Sequence, residues 1–164
     1  MPRRGRLIFK VASRVLGVEH AKKLPKSMDV IGDIAILKSS SEEPIGRELG
    51  EGLLREAPYL KVVLKQSSPV TGDFRIRSLE WLAGERRTIT YHREYECIFK
   101  VDVAKVYFSP RLSNERRRVA EMAVEGENVL NMFAGVGCFS ILIAKRLKEV
   151  KVYSIDLNPD AVHL

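Results

Sequence analysis

The sequence lacks several features that would place it in a class at once. None of its apolar runs approaches the roughly 18 residues that a membrane-spanning helix needs. The N-terminus is basic, but its apolar residues are interrupted by Lys10, Ser13 and Arg14, which argues against a signal peptide. Only two cysteines occur, Cys97 and Cys138, so neither a disulfide framework nor a metal site is predicted, and a reducing compartment, the cytoplasm, is expected.

What the sequence does have is a globular composition with an uneven charge. Hydrophobic residues make up 45% and charged residues 30% of the 164 positions, and no repeat or low-complexity segment occurs. The net charge is +7, and residues 1–28 carry all of it, with eight Lys or Arg against one acid. A basic arm attracts polyanions, nucleic acid first among them, although a solvated terminal face explains the charge equally well.

Hydrophobic periodicity divides the chain into three parts of an α/β fold: a basic helix (1–27), a small α/β domain (28–105), and the opening of a larger doubly wound domain (106–164). The pattern predicts a helix over 6–17, a strand near 30–37 crossed by Gly32, a helix opened by Ser39–Pro44, and a β-rich run at 60–66. Residues 74–82 fit a strand or a short helix, and 87–109 fit two strands with a turn around 92–94.

The C-terminal part repeats the order strand, helix, strand. A helix is predicted over 115–124, a buried strand over 128–133, a helix over 138–147 and a buried strand over 151–155. Both strands are apolar enough to require burial on two faces, as in a parallel sheet. A doubly wound sheet has about five or six strands, so we expect an incomplete sheet and a partial chain.

The turn "NMFAGVGCFS" and the acid after the next strand together indicate a nucleoside cofactor. Gly135 allows a sharp turn, Gly137 allows close approach of a ligand, and Ser140 stands where a dinucleotide fingerprint has its third glycine. Asp156 follows Gly137 by 19 residues and is suited to accept hydrogen bonds from ribose hydroxyls. S-adenosylmethionine, which has no phosphate, fits this turn better than a dinucleotide; a ligand-free turn is the remaining alternative.

Longer motifs point to one family. The segments "FKVDVAKVYFSPRLSNERRRVAE", "VLNMFAGVGCFSILIAK" and "VYSIDLNPDA" resemble the archaeal and eukaryotic tRNA guanine-37 N1-methyltransferases over residues 28–164. The related wyosine-pathway aminocarboxypropyltransferases share the scaffold, but they usually have a glutamate at the position of Asp156. The resemblance implies a small α/β RNA-recognition domain followed by the start of a Rossmann-like class I methyltransferase domain, with S-adenosylmethionine as cofactor.

The resemblance also implies catalytic roles. Glu115 matches a general base that removes the proton from guanine N1, and Tyr107 matches an aromatic residue that positions the target base. Arg75 matches an arginine that hydrogen-bonds guanine O6, with Arg77 as the competitor. Without the resemblance, Glu115 would be read as an acid at a helix N-terminus, Tyr107 as core packing, and both arginines as a solvated face.

Cofactor contacts are implied for six residues, which are Arg116, Phe133, Gly135, Gly137, Asp156 and Leu157. The family usually has Asp at the position of Asn131 and Pro at that of Cys138. It also has a later Asn-Pro-Pro loop that this sequence lacks. We therefore expect the 164-residue chain to be inactive alone. The implied partner is the anticodon loop of tRNA, with no DNA or membrane partner and a monomeric full-length enzyme; a non-catalytic tRNA-binding fragment is the alternative.

Overall fold

The computed structural model describes residues 4–24, 27–38, 45–68, 72 and 74–164. Their contacts divide the chain into two compact units, one formed by 1–71 with 77–88 and the other by 72–76 with 89–164. This boundary lies some way before the predicted one at 105. No helix in the described part of the chain has the length and apolar content to cross a membrane.

The first unit is a four-stranded sheet with three helices. Its elements are α1 (Arg4–Val15), α2 (Val18–Lys23), β1 (Met28–Ile31), β2 (Ile34–Lys38), α3 (Arg47–Glu56), β3 (Val62–Gln66) and β4 (Leu79–Gly84). The strand order is β1-β2-β3-β4, with β2 and β3 parallel across the α3 connection and the other pairs antiparallel.

The N-terminal helix is part of this core. Ile8 and Val11 of α1 are buried in one hydrophobic cluster with Leu49 and Leu53 of α3. Gly52 permits the close approach of α1 and α3, because a Cβ there would lie 2.5 Å from a methyl carbon of Val11. The predicted helix over 6–17 is confirmed, and packing makes it a structural element of the unit as well as a basic one.

Three local predictions need adjustment. The single strand expected near 30–37 is a hairpin of β1 and β2, because Gly32 adopts a positive φ of 55° and reverses the chain. Residues 74–82 become strand only from Leu79. The capping residues proposed for α3, Ser39–Pro44, lie outside the described residues, and the helix follows Gly46.

The second unit contains two separate two-stranded sheets. Its elements are β5 (Ile89–Glu94), β6 (Cys97–Asp102), a 3-10 turn (Pro110–Leu112), α4 (Ser113–Met122), β7 (Asn128–Asn131), α5 (Cys138–Arg146), β8 (Lys151–Ser154) and α6 (Pro159–Val162). β5 and β6 are antiparallel, and β7 and β8 are parallel. The β5–β6 turn falls at Tyr95 and Glu96, both with positive φ, and not at the predicted 92–94.

The prediction that β7 and β8 are buried is wrong for the described chain. Leu130 and Tyr153 face each other in register and are 56% and 57% exposed. Helix α5 packs on β8 and shields one side of the pair, where Leu142 and Ile143 are buried. The apolar pattern that led to the prediction is present, but one face of the two strands is uncovered.

Candidate functional site

A glycine loop connects β7 to α5. Gly135 and Gly137 have positive φ values of 55° and 76°, and the Gly137 N–H donates to the carbonyl of Ala134 at 2.9 Å. A Cβ on Gly135 would meet nothing closer than the carbonyl oxygen of Tyr107, at 4.0 Å. Backbone conformation, and not crowding, therefore requires glycine at position 135. The space beside it is open to a ligand.

The carboxylate of Asp156 lies against this loop. One oxygen accepts the Gly135 N–H at 2.6 Å, and the other accepts the Asn158 N–H at 2.9 Å. Within the described part of the chain, no cation forms an ion pair with Asp156. The remaining lone pairs of the carboxylate are available to donors such as hydroxyl groups.

Asn158 holds the segment after β8 to the segment before Tyr107. Its amide donates to the Lys105 carbonyl at 2.8 Å, and its side-chain oxygen accepts the Asp160 N–H at 3.0 Å, which caps α6. The side chain is only 5% exposed. An ion pair between Lys105 and Asp160, at 3.0 Å, joins the same two segments.

Arg75 and Tyr107 are in contact. The guanidinium carbon of Arg75 lies 5.6 Å from the centre of the Tyr107 ring, a cation–π distance. Arg75 has a positive φ of 52°, which is uncommon for a residue with a Cβ. Arg77, the competitor, is buried in the first unit and pairs with Asp29 at 3.6 Å. The structure therefore favours Arg75 as the accessible arginine.

Glu115 lies in the first turn of α4 and is exposed to solvent. Both of its oxygens accept hydrogen bonds from Arg118, at 2.6 and 2.9 Å. These bonds, together with the charge of Arg118, lower the pKa of Glu115 below its ordinary value. Among the described residues, Glu115 forms its hydrogen bonds with Arg118, so the structure does not join Glu115 to Tyr107 or Arg75.

The contacts of Arg116 differ from those implied for a cofactor-binding residue. Its guanidinium is 2% exposed and donates to both carboxylate oxygens of Glu94, at 2.5 and 2.8 Å, and to the carbonyl of Ser109. It also lies 5.0 Å from the centre of the Phe108 ring. Burial by itself would raise the pKa of Glu94, but the hydrogen bonds and charge of Arg116 outweigh this and keep the pKa low. Arg116 is an internal support for the segment that carries Tyr107.

Two family models match this chain. Residues 90–164 match the TRM5/TYW2 methyltransferase domain, and residues 8–88 match the TYW2 N-terminal domain. The two matches cover almost the whole chain and meet at the boundary between the compact units. The chain belongs to the TRM5/TYW2 family.

Three members of the TRM5/TYW2 family illustrate the similarity. The tRNA (guanine(37)-N(1))-methyltransferase Trm5b of Pyrococcus abyssi is 47% identical over 88% of this chain and 43% of its own length. The complex structure of aTrm5 and tRNALeu aligns with a TM-score of 0.83 and 44% identity, over 96% of this chain and 47% of that one. P. horikoshii TYW2 in complex with MeSAdo aligns with a TM-score of 0.70 and 35% identity, over 94% and 54%. The chain spans about half the length of these relatives.

The remaining predicted residues of the TRM5/TYW2 site are exposed around the glycine loop. Phe133 precedes the loop and Leu157 follows Asp156, and both side chains are largely open to solvent. Asn131, where the family usually has Asp, donates to the hydroxyl of Ser140 at 3.0 Å, and Ser154 donates to the same hydroxyl at 2.7 Å. The amide of Asn131 thus fastens the base of the loop to α5.

Asn followed by Pro predicts a helix start at Asn158, but sequence reasoning gave this residue no role at the site. Its second bond, to Lys105, joins residues 53 positions apart and could not be foreseen.

Proposed function

We propose that this chain is the part of a tRNA methyltransferase that binds S-adenosylmethionine and recognises guanosine 37, so that the enzyme methylates N1 of that base. The observation that carries the proposal is the position of Asp156, whose carboxylate accepts the Gly135 N–H and so lies against the glycine loop beside the Tyr107 backbone. The family membership and the similarity to the Pyrococcus abyssi enzyme support the reaction type.

The loop favours a cofactor without phosphate. In a dinucleotide site, free backbone N–H groups of the loop and the helix start bind the pyrophosphate. Here the Gly135 N–H is already bound by Asp156, and the carboxylate would repel a phosphate at that place. The same carboxylate suits the two ribose hydroxyls of an adenosine moiety. Phe133 and Leu157, whose side chains are exposed, are proposed to provide apolar contacts for the adenine ring.

The second half of the site suits a guanine base. In the proposed reaction the carboxylate of Glu115 would accept the proton of guanine N1. S-adenosylmethionine, when bound, would supply the methyl group to N1, and its leaving thioether would keep the electrons of the broken carbon–sulfur bond. Arg75 is proposed to hydrogen-bond O6, where negative charge develops, and Tyr107 to stack on the base. Glu115 has to leave Arg118 before it acts as a base.

Cofactor binding provides the direct test, because it can be measured on the 164-residue chain by equilibrium dialysis with labelled S-adenosylmethionine. We expect Asp156→Asn to weaken binding roughly 10- to 100-fold, since hydrogen bonds to a charged acceptor contribute about 1.5–3 kcal/mol. Glu149→Gln is the control, because Glu149 is an exposed acid of the same unit and lies before β8, away from the glycine loop in the chain. Equal affinity of the Asp156 variant and the wild type would refute the proposed pocket.

Turnover is the second measurement. Because one face of β7 and β8 is uncovered, we expect slow or no methyl transfer by this chain to unmodified tRNA. Mass analysis of any modified nucleoside identifies the transferred group, and a tRNA with adenosine at position 37 is the control substrate. We further propose a base splayed out of the anticodon loop, a monomeric enzyme and a cytoplasmic location.

The second candidate is the aminocarboxypropyl transfer to tRNA that belongs to the wyosine pathway. The observations that favour it are the match of residues 8–88 to the TYW2 N-terminal domain and the similarity to a TYW2 bound to MeSAdo. When S-adenosylmethionine gives up its aminocarboxypropyl group, methylthioadenosine remains, whereas methyl transfer leaves S-adenosylhomocysteine. Identification of the nucleoside by-product therefore separates the two reactions.

A further inference from the structure

The β5–β6 hairpin is a two-stranded ribbon with two unlike faces. Thr90, Cys97, Phe99 and Val101 point into the second unit and are buried. The opposite face, here called the outer ribbon face, consists of Ile89, Tyr91, Arg93, Ile98 and Lys100. Tyr91 is 60% exposed, and Ile89, Arg93 and Ile98 are exposed as well. An exposed sheet face that carries apolar side chains is either a binding surface or a face that is simply solvated.

The ribbon is rigidly held. On its inner side, the rings of His92 and Phe108 meet edge to face at 4.9 Å. At the turn, the Tyr95 hydroxyl donates to the Asn114 side chain at 3.1 Å, and Arg117 lies 5.6 Å from the Tyr95 ring centre. A surface that is already ordered loses little conformational entropy when it binds a partner.

The outer ribbon face combines an aromatic ring with two cations. Tyr91 lies directly opposite Lys100, and Arg93 lies directly opposite Ile98. Neither cation forms an ion pair within the described part of the chain. Asp102, the acid paired with Ile89 on the same side of the ribbon, is buried and accepts the Ala104 N–H. Glu96 belongs to the turn, beyond the last paired residues.

We propose that the outer ribbon face is a separate RNA-contact surface, on which an unpaired base stacks on Tyr91 while Arg93 and Lys100 bind the adjoining phosphates. The identity of the RNA as tRNA rests on the proposed function; the surface itself does not. Aromatic rings flanked by cations on a sheet are the usual means of binding single-stranded RNA, since stacking holds the base and the cations track the backbone. A hydrophobic protein partner would not need the two uncompensated cations on opposite strands.

The test uses the 164-residue chain and a fluorescein-labelled anticodon stem-loop RNA, with fluorescence anisotropy across a salt titration. We expect Tyr91→Ala to weaken binding roughly 5- to 150-fold and Tyr91→Phe to retain most of it, because stacking requires only the ring. The double variant Arg93→Gln/Lys100→Gln should reduce the salt slope by about 1.4, the value for two contacts to single-stranded phosphates. Lys148→Gln/Lys151→Gln removes two exposed charges elsewhere in the same unit and should leave the slope nearly unchanged.

A footprint on the wild type avoids dependence on variant folding. Bound RNA should protect Tyr91 from nitration and leave Tyr153, which has similar exposure, reactive. The proposal would be overturned by equal protection of both tyrosines or by an unchanged RNA affinity of Tyr91→Ala. It would also be overturned if the ribbon variants changed the oligomeric state but not the RNA affinity. Affinity for S-adenosylmethionine should be the same in all ribbon variants. A failure of the ribbon is thereby distinguished from a failure of the cofactor pocket, which Asp156→Asn tests.

Discussion

Asn158→Ala is the most informative substitution for the site, because it cuts a link between the segment that carries Asp156 and the segment before Tyr107. The change removes the amide that donates to the Lys105 carbonyl and the oxygen that caps α6. Loss of an N-cap typically costs about 1 kcal/mol, and loss of the part-buried hydrogen bond to the Lys105 carbonyl costs about 0.5–1.5 kcal/mol. We therefore expect the free energy of unfolding to fall by about 1.5–2.5 kcal/mol. In a chain of this size, the corresponding decrease in Tm is roughly 3–10 °C.

Two comparisons separate the contributions. Asn158→Ser keeps an oxygen for the cap but loses the amide donor, so it should recover about 1 kcal/mol. Asn128→Ala, at an exposed asparagine of β7, should change stability by less than about 0.5 kcal/mol. Circular dichroism during thermal and urea unfolding measures the stability of the three variants.

The affinity for S-adenosylmethionine tests the functional part of the reasoning. The backbone N–H of Asn158 donates to Asp156, so a less firmly held residue 158 should raise the Kd for the cofactor in both Asn158 variants but not in Asn128→Ala. An Asn158→Ala protein with wild-type stability and wild-type affinity would show that the segment is held by other contacts, and the positioning role of Asn158 would be abandoned.

Two further predictions concern packing and pH. Gly52→Ala should destabilise the first unit by about 1–2 kcal/mol, because the 2.5 Å clash with Val11 outweighs the gain in helix propensity. Adding Val11→Ala should restore part of that stability, and urea unfolding followed by Trp81 fluorescence measures both variants. The lowered pKa of Glu94 means that its pairing with Arg116 stabilises the protein above the ordinary carboxyl pKa and that this stability disappears as pH falls through the lowered value. Glu94→Gln should therefore cost about 3 kcal/mol at neutral pH and flatten the acid limb of the stability profile, and an unchanged acid limb would contradict this.

Local patterns predicted much of the architecture. The apolar spacing in residues 6–17 led to α1, and the strand–glycine–helix–strand order after Asn128 led to β7, α5 and β8. Where local signals were ambiguous, the bounds shifted. Gly32 was read as a residue crossing one strand, although its positive φ makes it the turn of a hairpin. The burial of β7 and β8 was also wrong, because burial depends on what packs against a strand as well as on its own residues.

The site divides in the same way. Gly135, Gly137 and Asp156 were identifiable because their chemistry is local: positive backbone angles favour glycine, and the acid stands at the end of the next strand. The pairing of Arg116 was not predictable, because its partner, Glu94, lies 22 positions away on another strand. A single sequence cannot show which acid a given arginine will meet.

The sequence alone therefore determined the order of elements, the glycine loop and the acid beside it, since these follow from backbone sterics and from residues close together in the chain. Only the tertiary structure decided that Arg77 is buried while Arg75 stacks on Tyr107, that Asn158 ties two distant segments together, and that Tyr91, Arg93 and Lys100 share an open face. These depend on contacts between residues far apart in sequence, and such contacts exist only once strands pair and helices pack.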